Sequence, residues 1–307
     1  MIVDMGYAKS YHRTIKSFLA EKNHIDLLVV THTDSDHIGG ALSYIKDDDT
    51  PKLDCWWYNY SINDLSTNEE GNNKISINQA ISLRAYLSKK KEAISSSPII
   101  ADTLHVIKGI EINILSPSLK SYKEFKDLVD KKESYLQNIS AEKSDYKISI
   151  RDFEDISFPP EDNSPSNGSS IAFILNYGGF KILMLADAHP KVIVESLRNM
   201  GYSEEKPLLI NYVKLSHHGS ARNINSELIE LIECSNYIIS TDGSNHALPN
   251  KLTLAKIAIH RKATGTNFYF NYENPTIKKV FSDEDLTTYK VSLFYPKSDE
   301  NYLEINA

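Results

Sequence analysis

The stretch Thr31-His32-Thr33-Asp34-Ser35-Asp36-His37-Ile38-Gly39-Gly40 packs two imidazoles and two carboxylates into six residues, His32 to His37. The run before it, Ile25-Asp26-Leu27-Leu28-Val29-Val30, is short and apolar and predicts a buried strand. Ile38 to Lys46 opens on Gly-Gly and reads as a helix. The cluster therefore falls where a strand ends and a helix begins, the usual address of a site in a layered α/β fold. A solvated polar loop is the plain alternative. The density of metal-competent side chains, and matching residues later in the chain, argue against it.

Bulk properties narrow the class. A chain of 307 residues holds one large domain or two small ones. An apolar fraction of 41% and 18 tyrosines suit a globular protein rather than a disordered one. No apolar run approaches the roughly 18 residues of a membrane span, so no membrane association is expected. Met1-Ile2-Val3-Asp4-Met5-Gly6 lacks the basic flank and apolar segment of a signal peptide. Cys55 and Cys234 alone make neither a disulfide framework nor a zinc–cysteine cage. A cytoplasmic location is the resulting expectation. The net charge of −7 disfavours broad, non-specific nucleic-acid binding. The lysine-rich segments Lys120 to Lys132 and Lys251 to Lys262 fit solvated helix faces.

Periodicity outlines the rest. Strands are predicted over Met1 to Met5, Leu53 to Tyr60, Leu208 to Leu215 and Tyr237 to Ser240. Hairpins are predicted around Lys108-Gly109 and Tyr177-Gly178-Gly179-Phe180, and strands at Phe268 to Tyr272, Ile277 to Phe281 and Lys290 to Tyr295. Helices are predicted over Lys9 to Glu21, Ser76 to Lys91, Ser118 to Gln137, His189 to Met200, Ile224 to Ile232 and from Pro249 to Arg261. Asn63 to Asn73 reads as an exposed loop, and Ser140 to Ser169, rich in Pro, Ser, Asp and Asn, as a long surface insertion. Alternating strands and helices without a clear linker predict a single α/β domain over residues 1–307, with surface insertions at about 60–75 and 118–169.

Further metal-competent residues fall past apolar runs of the second half: Asp187, the pair His217-His218, and His246. Strands that share one sheet would gather them on one edge. Nitrogen and oxygen donors without cysteine suit zinc, manganese or iron. A carboxylate between two ions about 3.5–4 Å apart would let them share a nucleophile, and Asp187 is the candidate for that bridge. His189 reads as a neighbour of the site or a surface residue, His105 as structural, and His12, His24 and His260 as surface residues. Cys55 and Cys234 read as buried apolar positions.

The quoted stretch resembles the His-x-[His/Asp]-x-Asp-His signature of the metallo-β-lactamase superfamily. Leu215-Ser216-His217-His218-Gly219-Ser220, Asn167-Gly168-Ser169-Ser170-Ile171, Ala186-Asp187-Ala188 and Asn245-His246-Ala247-Leu248-Pro249 resemble one branch of it. That branch includes the metallo-β-lactamase-like domain of the ComEC DNA-uptake proteins. The resemblance spans roughly Met1 to Ile257. It implies an αββα sandwich, two mixed sheets flanked by helices with two divalent ions at one edge. It further implies that His32 and Asp34 hold one ion, Asp36 and His37 the other, that Asp187 bridges, and that His217 or His218 and His246 complete the shells. Which member of the doublet is a ligand stays open; His218 is carried as the catalytic partner of Asp36, and Ser220 and Asn245 as substrate contacts. Two departures stand out. Asn167 to Ser170 occupy the place where the superfamily usually has a histidine. The usual opening strands before Ile2-Val3 are short or absent, which leaves a sheet edge for a protein partner.

Three functions compete on these residues. The first is a metal-dependent phosphodiesterase or nuclease, with nucleic acid or another phosphodiester as partner. The second hydrolyses a small ester, lactone or thioester. The third is a partner-binding subunit of a multi-protein system, such as a defence system, with a regulatory metal site. Asp34, standing where many relatives carry histidine, hardens the donor set, brings manganese beside zinc and favours phosphate over lactam chemistry.

Overall fold

A computed structural model describes residues 1–60, 75–131, 144–244, 246–297 and 302–305. The chain folds into two compact units. One comprises Met1–Ile100, Pro117–Gln137 and Ser164–Ile171; the other comprises Ala101–Ser116, Asn138–Asn163 and Ala172–Ala307. The loop expected over Asn63 to Asn73 lies outside the described residues, as does the end of the helix expected to reach Gln137.

In the first unit, Ile2–Val3, Leu28–Val29 and Trp56–Trp57 form a parallel three-stranded sheet with Leu28–Val29 in the middle. The two-residue strands are shorter than expected, because Leu53 to Tyr60 divides. Lys52–Leu53 pairs with His24–Ile25, and Trp56–Trp57 joins the main sheet. Leu27, Leu28, Val29 and Val30 are all buried, as a central parallel strand covered on both faces requires. Because the strands run parallel, the residues just past them, Asp4, Thr31 and Tyr58-Asn59, collect at one end of the sheet. Helix Ser35–Lys46 packs its Ile38, Ala41, Leu42 and Ile45 face into a core that includes Met5, Tyr11, Trp56 and Phe125. Gly40 makes this seat possible. A Cβ there would lie 2.0 Å from the Met5 carbonyl oxygen, and its N–H donates to the Gly6 carbonyl at 2.7 Å.

Part of the expected surface insertion is interior. Helix Leu119–Asp130 buries Tyr122, Phe125 and Val129, and the Ser118 hydroxyl caps it by accepting from the Ser121 N–H. The short helix Pro165–Gly168 follows, and Ser166, Asn167, Ser169 and Ser170 are buried. Serine and asparagine mimic a surface composition here, but the Ser166 and Ser169 hydroxyls make their hydrogen bonds inside the fold.

The second unit carries the large mixed sheet. Its order is Val291–Phe294, Thr266–Phe270, Asn236–Ile239, Tyr212–Lys214, Phe180–Met184, Ala172–Tyr177, Ile110–Ser116, Thr103–Ile107. The first five strands are parallel to one another and the last three continue antiparallel through the two expected hairpins. Helices Pro190–Asn199 and Lys251–His260 contribute Ile193, Leu197, Leu254 and Ile257 to its core. The α/β class is as expected, whereas the sheet of the first unit is wholly parallel rather than mixed.

Four expectations change. Ile277 to Phe281 is not a strand: Ile277–Lys279 is a 3₁₀ turn with Ile277 and Val280 buried. Leu208 to Leu215 breaks in two: Leu208–Leu209 pairs with Ile232–Glu233 while Tyr212–Lys214 enters the large sheet. Cys55 is only half-buried. Helix Lys251–His260 is not a solvated face, since Lys251 is buried and its Nζ donates to Asp285 Oδ2 at 2.7 Å. Among the described residues, no helix is long and apolar enough to cross a membrane.

Candidate functional site

The first unit presents His32, Asp34, Asp36 and His37 where strand Leu28–Val29 gives way to helix Ser35–Lys46. A hydrogen-bond relay fixes both imidazoles. Asp4 Oδ1 accepts from the Thr31 N–H and Asp4 Oδ2 from the Thr31 hydroxyl, each at 2.8 Å. His37 Nδ1 lies 2.7 Å from Asp4 Oδ2. Burial opposes ionisation of Asp4, but the His37 imidazole, the Thr31 N–H and His32 outweigh it and hold its carboxyl below the usual value. An ionised Asp4 only accepts, so His37 Nδ1 donates to it, and in the neutral ring the lone pair lies on Nε2. The Thr31 hydroxyl spends its proton on Asp4. His32 Nδ1, 3.2 Å from that oxygen, is then the donor, and its Nε2 also carries the lone pair.

Each Nε2 faces a carboxylate. His32 Nε2 is 3.9 Å from Asp34 Oδ2, and His37 Nε2 is 3.6 Å from Asp36 Oδ2. These separations are too long for hydrogen bonds. Two donors bound to one ion at about 2.0–2.2 Å lie roughly 3–4 Å apart, so the spacing suits a shared divalent ion. Asp34 occupies the N-cap position of its helix without capping it; its Oδ1 instead accepts from the Ser166 hydroxyl at 2.8 Å. The buried Ser166 thus steadies a candidate ligand.

The second unit repeats the device with neutral partners. Asp187 and the His217-His218 pair follow the neighbouring parallel strands Phe180–Met184 and Tyr212–Lys214, so the sheet delivers them to one edge, as expected. His217 Nε2 lies 3.7 Å from Asp187 Oδ2, and Asp187 is buried. His217 Nδ1 is 3.0 Å from Asn223 Oδ1. The Asn223 amide donates to the Asp187 carbonyl and to Asp162 Oδ2, which orients it with its oxygen towards His217. His217 Nδ1 is therefore the donor and Nε2 keeps the lone pair. His218 Nδ1 meets the Ser240 carbonyl, an acceptor only, so Nδ1 is the donor here too. His217, His218 and Gly219 all have positive φ, the sharp turn that lets adjacent imidazoles find separate partners. Of the doublet, His217 is the one set against Asp187.

The remaining expected residues fall as follows. His246, past strand Asn236–Ile239, is exposed with φ 56°. Ser220 is buried, and its hydroxyl accepts from the Arg222 N–H at 3.2 Å. Asn245 lies outside the described residues. His24, Asp26 and Asp54 form another His–carboxylate group in the first unit, but His24 Nε2 lies 2.9 Å from Asp54 Oδ2 on an exposed surface, an ordinary surface hydrogen bond. Asp4, Thr31, Ser166, Asn223 and Ser240 carry roles not anticipated from sequence. Only Asp4 gave a usable signal, a carboxylate just past an apolar strand.

No family model matches the chain, and no curated protein does. Solved structures do match. A mutant of the CmlA beta-hydroxylase aligns at 12% identity over 90% of this chain and 44% of its own, with a TM-score of 0.37. The metallo-beta-lactamase fold protein YhfI from Bacillus subtilis aligns at 13% identity over 96% of this chain and 84% of its own, also with a TM-score of 0.37. The chain thus spans less than half the length of the first of these.

Proposed function

We propose that the chain is a metal-dependent hydrolase acting on a phosphodiester. One observation carries this reading. Three Nε2–carboxylate pairs, His32–Asp34, His37–Asp36 and His217–Asp187, are spaced at 3.6–3.9 Å, and both ring tautomers in the first unit and that of His217 are fixed from behind. A buried structural ion pair closes to hydrogen-bond distance, as Lys251 and Asp285 do at 2.7 Å. The donor set of imidazoles and carboxylates without thiolates fits zinc or manganese. When bound, such ions lower the pKa of water and neutralise charge on the phosphoryl oxygens.

The chain's own residues supply the rest. Asp36, on the first turn of its helix, is suited to orient the attacking water and take its proton. His218, held through Nδ1 by the Ser240 carbonyl, is suited, once protonated at Nε2 by solvent, to give that proton to the leaving oxygen as the P–O bond breaks. Asp34 adds an oxygen donor, which favours phosphate chemistry over lactam chemistry. The motif resemblance to the metallo-β-lactamase superfamily supports the same reading.

The test is hydrolysis of bis(p-nitrophenyl) phosphate and of single- and double-stranded DNA and RNA with manganese or zinc. Asp36→Ala and His218→Ala should each lower kcat at least 100-fold. Turnover of none of these substrates by the metal-loaded wild type, or unchanged turnover in both variants, overturns the proposal.

A further inference from the structure

We infer that the first unit holds a second ligand site, a pocket for a phosphate-sized oxyanion centred on Arg84. Helices Ile75–Lys90 and Leu119–Asp130 and the turn Ser95-Ser96-Ser97 line a cavity of about 150 Å³. That is room for several waters or one small oxyanion, and too little for a drug-sized molecule.

Arg84 is 8% exposed, yet its guanidinium is sparsely used. Nη1 donates to Asp130 Oδ1 at 3.1 Å, and Nε is buried without a hydrogen-bond partner among the described residues. A buried guanidinium with an unsatisfied donor is costly unless something accepts from it. Neighbouring polar groups do not. The Tyr58 hydroxyl donates to the Ala80 carbonyl at 2.9 Å, and the Asn59 side chain is committed in both directions to the backbone of Ile99. Lys126 stands on the facing helix and shares Asp130 with Arg84, so one carboxylate serves two cations and the cluster keeps a net positive charge. A planar guanidinium with adjacent donors on one side is the group that reads phosphate or carboxylate oxygens two at a time. Ser96 and Ser97 also line the cavity. Asp130 also faces the cavity, and its charge sets a limit on affinity.

The pocket is tested on the full chain after removal of metal by chelator, so that phosphate held by bound ions does not contribute. Inorganic phosphate is titrated by isothermal calorimetry into wild type, Lys126→Gln and Arg84→Lys, with circular dichroism to verify folding. Saturable binding by the wild type that weakens about tenfold or more in Lys126→Gln, and further in a folded Arg84→Lys, supports the site. Lys126 is partly exposed, so its variant decides the outcome if Arg84→Lys fails to fold. No binding to the wild type, or unaltered binding in Lys126→Gln, overturns it. Neither substitution touches the proposed metal ligands, so failure here leaves the hydrolase reading standing, and the reverse also holds.

Discussion

The two units hold their histidines by different means. In the first, a half-buried carboxylate, Asp4, backs His37 directly and His32 through Thr31. In the second, an amide, Asn223, backs His217 and a carbonyl, Ser240, backs His218. Both arrangements put the lone pair on Nε2. A carboxylate also makes the imidazole a stronger base and adds a negative charge behind it, whereas an amide fixes orientation alone. The foundations differ too. The first unit rests on apolar packing and the close backbone seat at Gly40; the second adds a buried ion pair, Lys251–Asp285.

That ion pair offers the largest break. Lys251→Met leaves Asp285 buried without its cation and should cost about 3–5 kcal/mol in urea unfolding. Adding Asp285→Leu should recover much of it, although the Ile150 and Ser282 N–H groups then lose an acceptor. The pair also makes the second unit acid-sensitive. Burial raises the pKa of Asp285, but Lys251 and the Ile150 and Ser282 N–H groups overcome it and leave the carboxyl below its usual value. Its stabilisation is thus complete above the usual carboxylate pKa and is lost as pH falls through the depressed one. Between neutral pH and about pH 3, the wild type should lose more unfolding free energy than the double variant. Equal losses would show that the pair contributes nothing.

Replacing the carboxylate comes next. In Asp4→Asn the amide must aim its N–H₂ either at the Thr31 N–H or at the Thr31 hydroxyl and His37 Nδ1, so one donor loses its acceptor. Affinity for manganese or zinc should fall about 100-fold by equilibrium dialysis. Asn223→Ala removes a neutral partner and should cost about tenfold. If the two losses match, the distinction between charged and neutral backing disappears.

Much of this was legible. His32, Asp34, Asp36 and His37 in the first unit, and Asp187, His217 and His218 in the second, each follow an apolar strand, and parallel pairing within a unit brings neighbouring strand ends to one edge. Apart from Asp4, the backing residues were not legible. Asn223 acts through a contact six positions from His217 and shows no periodic signature, and Ser240 acts through its backbone. Residues 164–169 read as surface because serine and asparagine are polar wherever they lie, and only buried hydrogen bonds such as those of Ser166 and Ser169 separate interior from surface. Lys251 was misread for the complementary reason: its partner, Asp285, is 34 residues away.

The most direct test is metal content. Wild type, Asp36→Ala and His217→Ala are reconstituted with zinc or manganese, dialysed and analysed by elemental mass spectrometry. Retention of divalent metal by the wild type, with clear loss in both variants, is predicted. A wild type that emerges without metal, or variants that retain as much as the wild type, would contradict a metal-dependent role for these imidazole–carboxylate pairs.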